Sequence, residues 1–544
     1  MALLVDLFGF LSVLLSGIAR TVQSLALGSV VFTLFLLPGQ EPQDMQKVIT
    51  DLIGRFLRIF AIILLVTLGI LFLLHFTVLY GSMSLPFFDS ITDTYGIILI
   101  IRLFLIGFLV LIASKGRLSK WMLLLIFADL FCAGFTSHAA ARIDQRAIAF
   151  IITIFHHLGA ALWIGGLPAF LIAMQNSNQG TIADLGHRYS NLSIFSVGLL
   201  ALTGIAMGII YAGSLDAIYG TAYGLMMITK SILFASLLIL GLGNFILIRK
   251  ISKNPSLSHG RLRRFVEVEL GIGIAIFFAA ASITSLPPAR DLTEGRVTIH
   301  ELLERFTPKF PSLVSPDKNK LAIYEVQQKL DERAAATGTN TTSAYIPGSG
   351  IPAPRNAADI RWSEYNHHWA GIIILTIGLL AFWDKNRPSK WTRHWPLAFI
   401  LLAIFLFFRS EAESWPLGNL PLTDSLRDPE FIQHKMIMAL ITGFALFEWA
   451  VRIGKARPWM KYVFPLACSI GGTLLLSHSH SLANIKDLLL IEYTHTPLAI
   501  LGIWAGWARW LELRLPEPEN RWAGWIWPLF FLGIGLTLLF YREI

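Results

Sequence analysis

Apolar residues run through this chain in long stretches, without the strict alternation of a half-buried strand and with few charges inside them. A stretch of roughly 18 or more such residues is long enough to cross a bilayer as a helix. Fourteen runs are predicted as spans, at 14–37, 59–80, 95–114, 121–137, 147–174, 191–212, 223–247, 265–287, 365–383, 396–408, 431–452, 462–478, 490–508 and 523–540. A β-barrel would show short segments of period two, which are missing here. The fold class expected is therefore an all-α, polytopic transmembrane helix bundle. Between residues 288 and 365 the pattern turns polar and rich in Pro and Gly, with TGTNTTS and IPGSGIPAP reading as linker. Within it, 318–336 has the spacing of an amphipathic helix. The domains expected are an eight-span unit over 1–290, an extracytoplasmic loop over 291–362 and a six-span, His-rich unit over 363–544.

Composition agrees: 55% of the 544 residues are hydrophobic and 15% charged, against about 25% charged in a soluble domain. The net charge of +9 is assigned to basic loops that set topology and touch anionic lipid, not to nucleic acid. Loops following the odd-numbered spans hold 24 Lys and Arg, whereas short segments on the other face hold 6. By the positive-inside rule both termini and the long loop lie outside the cytoplasm, which in a bacterium places the chain in the inner membrane. The start, MALLVDLFGF, has no basic n-region, so no removable signal peptide is read. Cys132 and Cys468 fall in different spans, so no disulfide is expected.

With this orientation, ten of the 14 histidines gather toward the outer face: His75, His138, His156, His157, His367, His368, His434, His478, His480 and His495. Ionisable groups in a membrane are costly and mark function by default, and imidazole is the commonest metal ligand. One constellation is Cys132, His138, His156 and His157, with Met83, Met207, Met226 and Met227 at similar depth. Thioether and thiolate ligands favour Cu(I), while imidazole suits copper, zinc and iron. His156 and His157 diverge by about 100° on a helix, so one of them at most is expected to share a site with His138. A second constellation is His434, Met438, His478, His480, Glu492 and His495, in which His434/Met438 and Glu492/His495 share helix faces. Glu411, Glu413 and Asp424 precede it and could collect cations or simply face solvent. Arg20, Arg102, Asp129, Lys230, Glu269, Lys435 and Glu448 are charges inside spans that must pair or face a wet cavity. Arg20, Arg102 and Lys230 could also hold haem propionates. No Walker A, GxSxG, HExxH, Rossmann or CxxCH pattern occurs, and no catalytic activity is expected.

At these residues the chain resembles a known family. Over about residues 14–290, the stretches SHAAARIDQ (137–145), HHLGAALWIGGLPAF (156–170), GTAYGLMMITKSILFASLLILGLGNF (220–245) and VEVELGIGIAIFFAAASITSLPPA (266–289) resemble the copper resistance D (CopD, or PcoD) family of bacterial inner-membrane proteins. His138, His157, Lys230, Asn244 and Glu269 fall on its pattern. The resemblance implies copper handling at the periplasmic face, as Cu+ or Cu2+, with copper passed across the inner membrane and a separate CopC-type periplasmic partner. The second half, through SEYNHHWAG (363–371), DPEFIQHKM (428–436) and EYTHTPLAILGIWAGWARWLELRL (492–515), is similar to an extra membrane domain of longer members. The function expected is thus a copper permease capturing metal through His434, His478, His480, His495 and Glu492, and passing it to His138, His157 and Met226. Two alternatives remain: a haem b protein carrying electrons, and an assembly factor or subunit serving a membrane cuproenzyme.

Overall fold

The computed structural model describes residues 2–37, 39, 42–114, 118–254, 257–349, 353–477 and 485–544. It is all-helical among those residues. Among the described residues twelve helices are long and apolar enough to cross a membrane, so the chain is a multi-pass membrane protein. Two further apolar helices, Lys120–Gly134 and Met460–Leu476, are shorter. The chain divides into two compact units, Leu11–Arg296 and Val297–Ile544 with Met1–Phe10.

In the first unit the long helices are α1 (Phe8–Leu36), α2 (Gln43–Gly81), α3 (Thr94–Ala113), α4 (Lys120–Gly134), α5 (Arg146–Asn176), α6 (Gly180–Tyr211), α7 (Ala222–Lys253) and α8 (Gly260–Ser285). Their starts are written in the sequence. Asp93 accepts from the backbone N–H groups of Tyr95 and Gly96 to cap α3, and Thr221 accepts from Gly224 to cap α7, each satisfying donors that a helix start leaves open. The WIGG element lies within α5, where a 3₁₀ turn at Ile164–Gly166 interrupts the α geometry. A Cβ on Gly28 would strike the Gly165 carbonyl carbon and the Ala161 oxygen, and one on Gly165 would strike the Ser24 oxygen. The two glycines therefore let the backbones of α1 and α5 cross in contact, as small residues do between membrane helices. Ile164 in turn packs where Gly273 of α8 has no side chain.

Span 4 was expected over 121–137, but α4 stops at Gly134 and a four-residue helix begins at His138. Thr136 and Ser137 donate their hydroxyls to the carbonyls of Ala133 and Gly134, local bonds that compete with helix continuation.

The second unit closes a ring of six: α9 (Ala357–Asn386), α10 (Thr392–Arg409), α11 (Pro429–Arg452), α12 (Val463–Leu476), α13 (Lys486–Arg514) and α14 (Arg521–Leu539), each packed on the next and α14 returning to α9. Residues 297–349 add helices Ile299–Phe306 and Ala322–Thr337. The second corresponds to the amphipathic segment read over 318–336. It packs through Leu321 on Ala358, Trp362 and Ala412, and Tyr324 donates to the Ala412 carbonyl at 2.8 Å.

Charges inside the helices are resolved by pairing. Arg102 of α3 meets Asp129 of α4 through Nε–Oδ1 at 2.8 Å, and Gln23 of α1 donates to the same carboxylate; Asp129 is fully buried. In the ring, Arg452 bonds Asp384 and Glu448, Arg509 bonds Glu448 at 3.0 Å and Glu512 at 2.5 Å, and Lys385 bonds Glu512 at 2.5 Å. These six residues form a chain of alternating sign, with the sequence neighbours Asp384 and Lys385 at its two ends, tying α9, α11 and α13. Lys435 is likewise paired, with Glu411.

Removing one partner of a buried pair strands the other charge, at about 3–5 kcal/mol, whereas replacing both by apolar groups is often neutral. Asp129→Leu is expected to lower unfolding free energy by about that amount. The double variant Arg102→Met/Asp129→Leu is expected to regain most of it, as read by thermal unfolding in detergent.

Candidate metal-binding cavity

Helices α1, α5, α6, α7 and α8 surround a cavity of about 500 Å³. His156 and His157 face it from α5, His138 from the turn before α5, Met207 from α6, Met227 and Lys230 from α7, and Arg20 from α1. His138, His156 and His157 thus all line the same cavity, with His156 and His157 about 100° apart on their helix. Met227, not its neighbour Met226, lines the cavity. Met226 is buried elsewhere, Met83 is exposed, and Cys132 is not among the lining residues.

The hydrogen bonds decide which imidazole nitrogen is available. The Thr203 hydroxyl spends its single proton on the Leu199 carbonyl, 2.6 Å away, so at 3.0 Å it accepts from His156 Nδ1. His138 Nε2 lies 3.1 Å from the Ile283 carbonyl, which can only accept, so this nitrogen carries the proton. In each neutral ring the opposite nitrogen keeps its lone pair, the tautomer control that ligating histidines require. Tyr211 and Tyr223 flank the His138 ring at centroid distances of 6.2 and 5.9 Å. Among the described residues no three His, Cys, Asp or Glu side chains come together as a metal cluster. The cavity therefore offers dispersed imidazoles and thioethers, with two cationic side chains and no carboxylate in its wall.

Glu269, which falls on the family pattern, lies elsewhere. It borders a second cavity of about 300 Å³, accepting from Trp163 Nε1 and Asn244 Nδ2, both at 2.6 Å. It joins α5, α7 and α8 as a polar network. Arg102 is held by Asp129, as described.

In the second unit the expected capture set is distributed. His434 Nδ1 bonds Glu411, and Met438, one turn further along α11, is buried. His495 of α13 lies against His367 of α9. Glu492 is buried. His478 and His480 lie outside the described residues. His75 pairs with Asp93 at 3.0 Å and so braces the α3 cap.

Around His434 the loop gathers Glu411, Glu413, Asp428 and Glu430. Burial, reinforced by the neighbouring Glu430, Glu411 and Asp428 carboxylates, pushes Glu413 up to about 7. The His434 and Lys435 charges and hydrogen bonds instead hold Glu411 below the usual range. For Glu413 the folded state keeps a proton that the unfolded chain loses from about pH 4.5. Its linkage thus lowers stability as pH rises to about 7. Glu413→Gln is expected to flatten that part of the stability profile, measured as unfolding midpoint against pH in wild type and variant.

A family model described as copper resistance protein D (CopD) matches residues 183–283. These residues form most of α6, all of α7 and nearly all of α8, three of the five helices around the cavity. The protein is thus a multi-pass membrane protein, all-helical among the described residues, in which residues 183–283 are similar to copper resistance protein D. Over 295 residues it is 29% identical to the copper transport protein CutJ of Bacillus subtilis (strain 168), an alignment covering 50% of this chain and 52% of that protein. The chain thus spans about half the length of the curated relative it matches. No solved structure matches it.

Proposed function

We propose that this protein handles copper in the bacterial inner membrane, taking the ion from the periplasmic face and holding it in the cavity of the first unit. The observation that carries the reading is the cavity wall itself. His138 and His156 each have one nitrogen engaged by an acceptor and the other left with a lone pair, and His157, Met207 and Met227 line the same space. Imidazole and thioether are the donors that hold copper, and thioether favours Cu(I). The resemblance of residues 183–283 to copper resistance protein D and the similarity to a copper transport protein support the same cargo. In this reading both termini are periplasmic, the chain forms 14 spans in units of eight and six, and a separate CopC-type protein delivers the metal. In the same reading His434, His478, His480 and His495 of the second unit capture the metal, with Glu492 assisting. Inward passage is driven by the membrane potential, worth about 2.3 kcal/mol per unit charge per 100 mV. The protein acts as a carrier and not as an enzyme.

The test is copper uptake by membrane vesicles with an imposed inside-negative potential. His138→Ala/His157→Ala is expected to abolish the protein-dependent component. Unchanged uptake in the double variant overturns the transport reading.

One observation favours a second reading. Arg20 and Lys230 face the cavity without a lining carboxylate, an arrangement suited to the propionates of a haem b held by imidazole. An absorption spectrum of the purified protein separates the two: a Soret band supports haem, and copper by elemental analysis without one supports metal handling.

A further inference from the structure

We infer that Glu269 and Asn244 form a proton-binding site in the smaller cavity of the first unit, where one proton is taken up and released inside the bundle. The two cavities follow one another along the same helices. The larger is lined by residues between 153 and 164 of α5, 200 and 211 of α6, 223 and 234 of α7, and 276 and 284 of α8. The smaller is lined by residues between 163 and 170, 189 and 197, 238 and 248, and 266 and 269 of those helices.

Glu269 is the one acidic side chain lining either cavity. It is buried, and its carboxylate accepts from Trp163 Nε1 and Asn244 Nδ2, both at 2.6 Å. Both donors are neutral, and among the described residues no Lys, Arg or His pairs with it. Asp129, Glu448 and Glu512 each have a cation beside them. A lone carboxylate inside a membrane is costly, and such groups neutralise by taking a proton.

Asn244 is left half-satisfied. It is 6% exposed, its Nδ2 donates to Glu269, and its Oδ1 has no hydrogen-bond partner among the described residues. An unpaired buried acceptor is rare, and here it matches what a proton-exchanging carboxyl needs of its neighbour. When Glu269 is ionised, the amide donates through Nδ2. When Glu269 is protonated, a half-turn of the amide presents Oδ1 to accept the new O–H. Nδ2 then turns to the cavity, where the Ser190 and Ser193 hydroxyls can accept from it. The exchange breaks and forms one O–H bond, with water as the other partner, and nothing is oxidised. The lining residues include no imidazole or sulfur for a soft ion such as Cu(I).

The surrounding groups leave Glu269 as the titrating one. Tyr189 of α6 borders the same cavity and donates its hydroxyl to the Trp163 carbonyl. No titratable side chain of α5 or α7 lines it. Outside the lining, Arg188 of α6 donates to the Leu36 carbonyl at 3.2 Å, and Arg249 of α7 lies over the Phe245 ring at 4.3 Å. Arg263 and Arg264 of α8 pair with Glu267. Trp163 joins the site to the larger cavity: its ring packs edge-on against Phe234 at 5.9 Å, and Phe234 lines the larger space. Protonation removes the charge that the Trp163 N–H bonds, and so loosens the wall between the two cavities.

The site is tested on the purified full-length protein in detergent, without added metal, by infrared difference spectroscopy between acid and alkaline pH. The expected result is the carbonyl stretch of a buried carboxylic acid that is gained at acid pH and is missing in Glu269→Gln. Asn244→Leu and Trp163→Phe each remove one donor to the carboxylate. Each is expected to tighten proton binding about tenfold, read as a shift of the band's midpoint to higher pH. His138→Ala/His157→Ala is expected to keep the band, so loss of copper uptake and loss of proton binding are separate results. No titrating band in the wild type, or one unaltered in Glu269→Gln, overturns the site. So does a midpoint that both Asn244→Leu and Trp163→Phe leave in place. A band abolished by Na+ at constant pH also overturns it, because the ligand is then an alkali ion.

Discussion

A charge inside a membrane-spanning bundle must find a counter-charge or line a cavity, and this constraint orders most of the molecule. Asp129 is neutralised by Arg102 and hydrogen-bonded by Gln23, which binds α1, α3 and α4 together. Glu448 is shared by Arg452 and Arg509. Glu269 takes neutral donors instead, from Trp163 and Asn244. Arg20 and Lys230 are different in kind: they point to the cavity that the imidazoles also line. The pairs hold helices in place, and the cavity-facing cations line a space with no carboxylate in its wall.

The helices were largely legible in the sequence because their signal, a long apolar run, is collective and survives local exceptions. The polar segment after Pro288 was legible too, down to its amphipathic helix, found at Ala322–Thr337. The site was legible only as a set of residue types. His138, His156 and His157 were expected near one another from depth, yet depth cannot say which rings line the same cavity, as all three do. Met227 in place of Met226 is a rotation of one residue about α7, below the resolution of any run-based argument. Glu411 as the partner of His434 depends on how a loop folds back, which spacing along the chain does not encode.

Partner identity separates histidines that sequence treats alike. His367 and His368 are neighbours on one helix, but one donates a single proton to its own helix's carbonyl and the other is bonded at both nitrogens. Chemistry at an imidazole is limited by what remains after the fold has taken its share of hydrogen bonds. Thr203 and the Ile283 carbonyl, which carry no chemistry themselves, set that remainder in the first unit.

The alternating chain of Asp384, Arg452, Glu448, Arg509, Glu512 and Lys385 sums to zero because it contains equal numbers of acids and bases. Its members border one another inside protein, where bulk ions are a poor substitute for a missing neighbour. Any one sign reversal therefore leaves two uncompensated charges beside the fully buried Glu448 and the nearly buried Arg509. Sequence drift at these positions is restricted to compensated exchanges, so the six should vary in linked pairs or not at all.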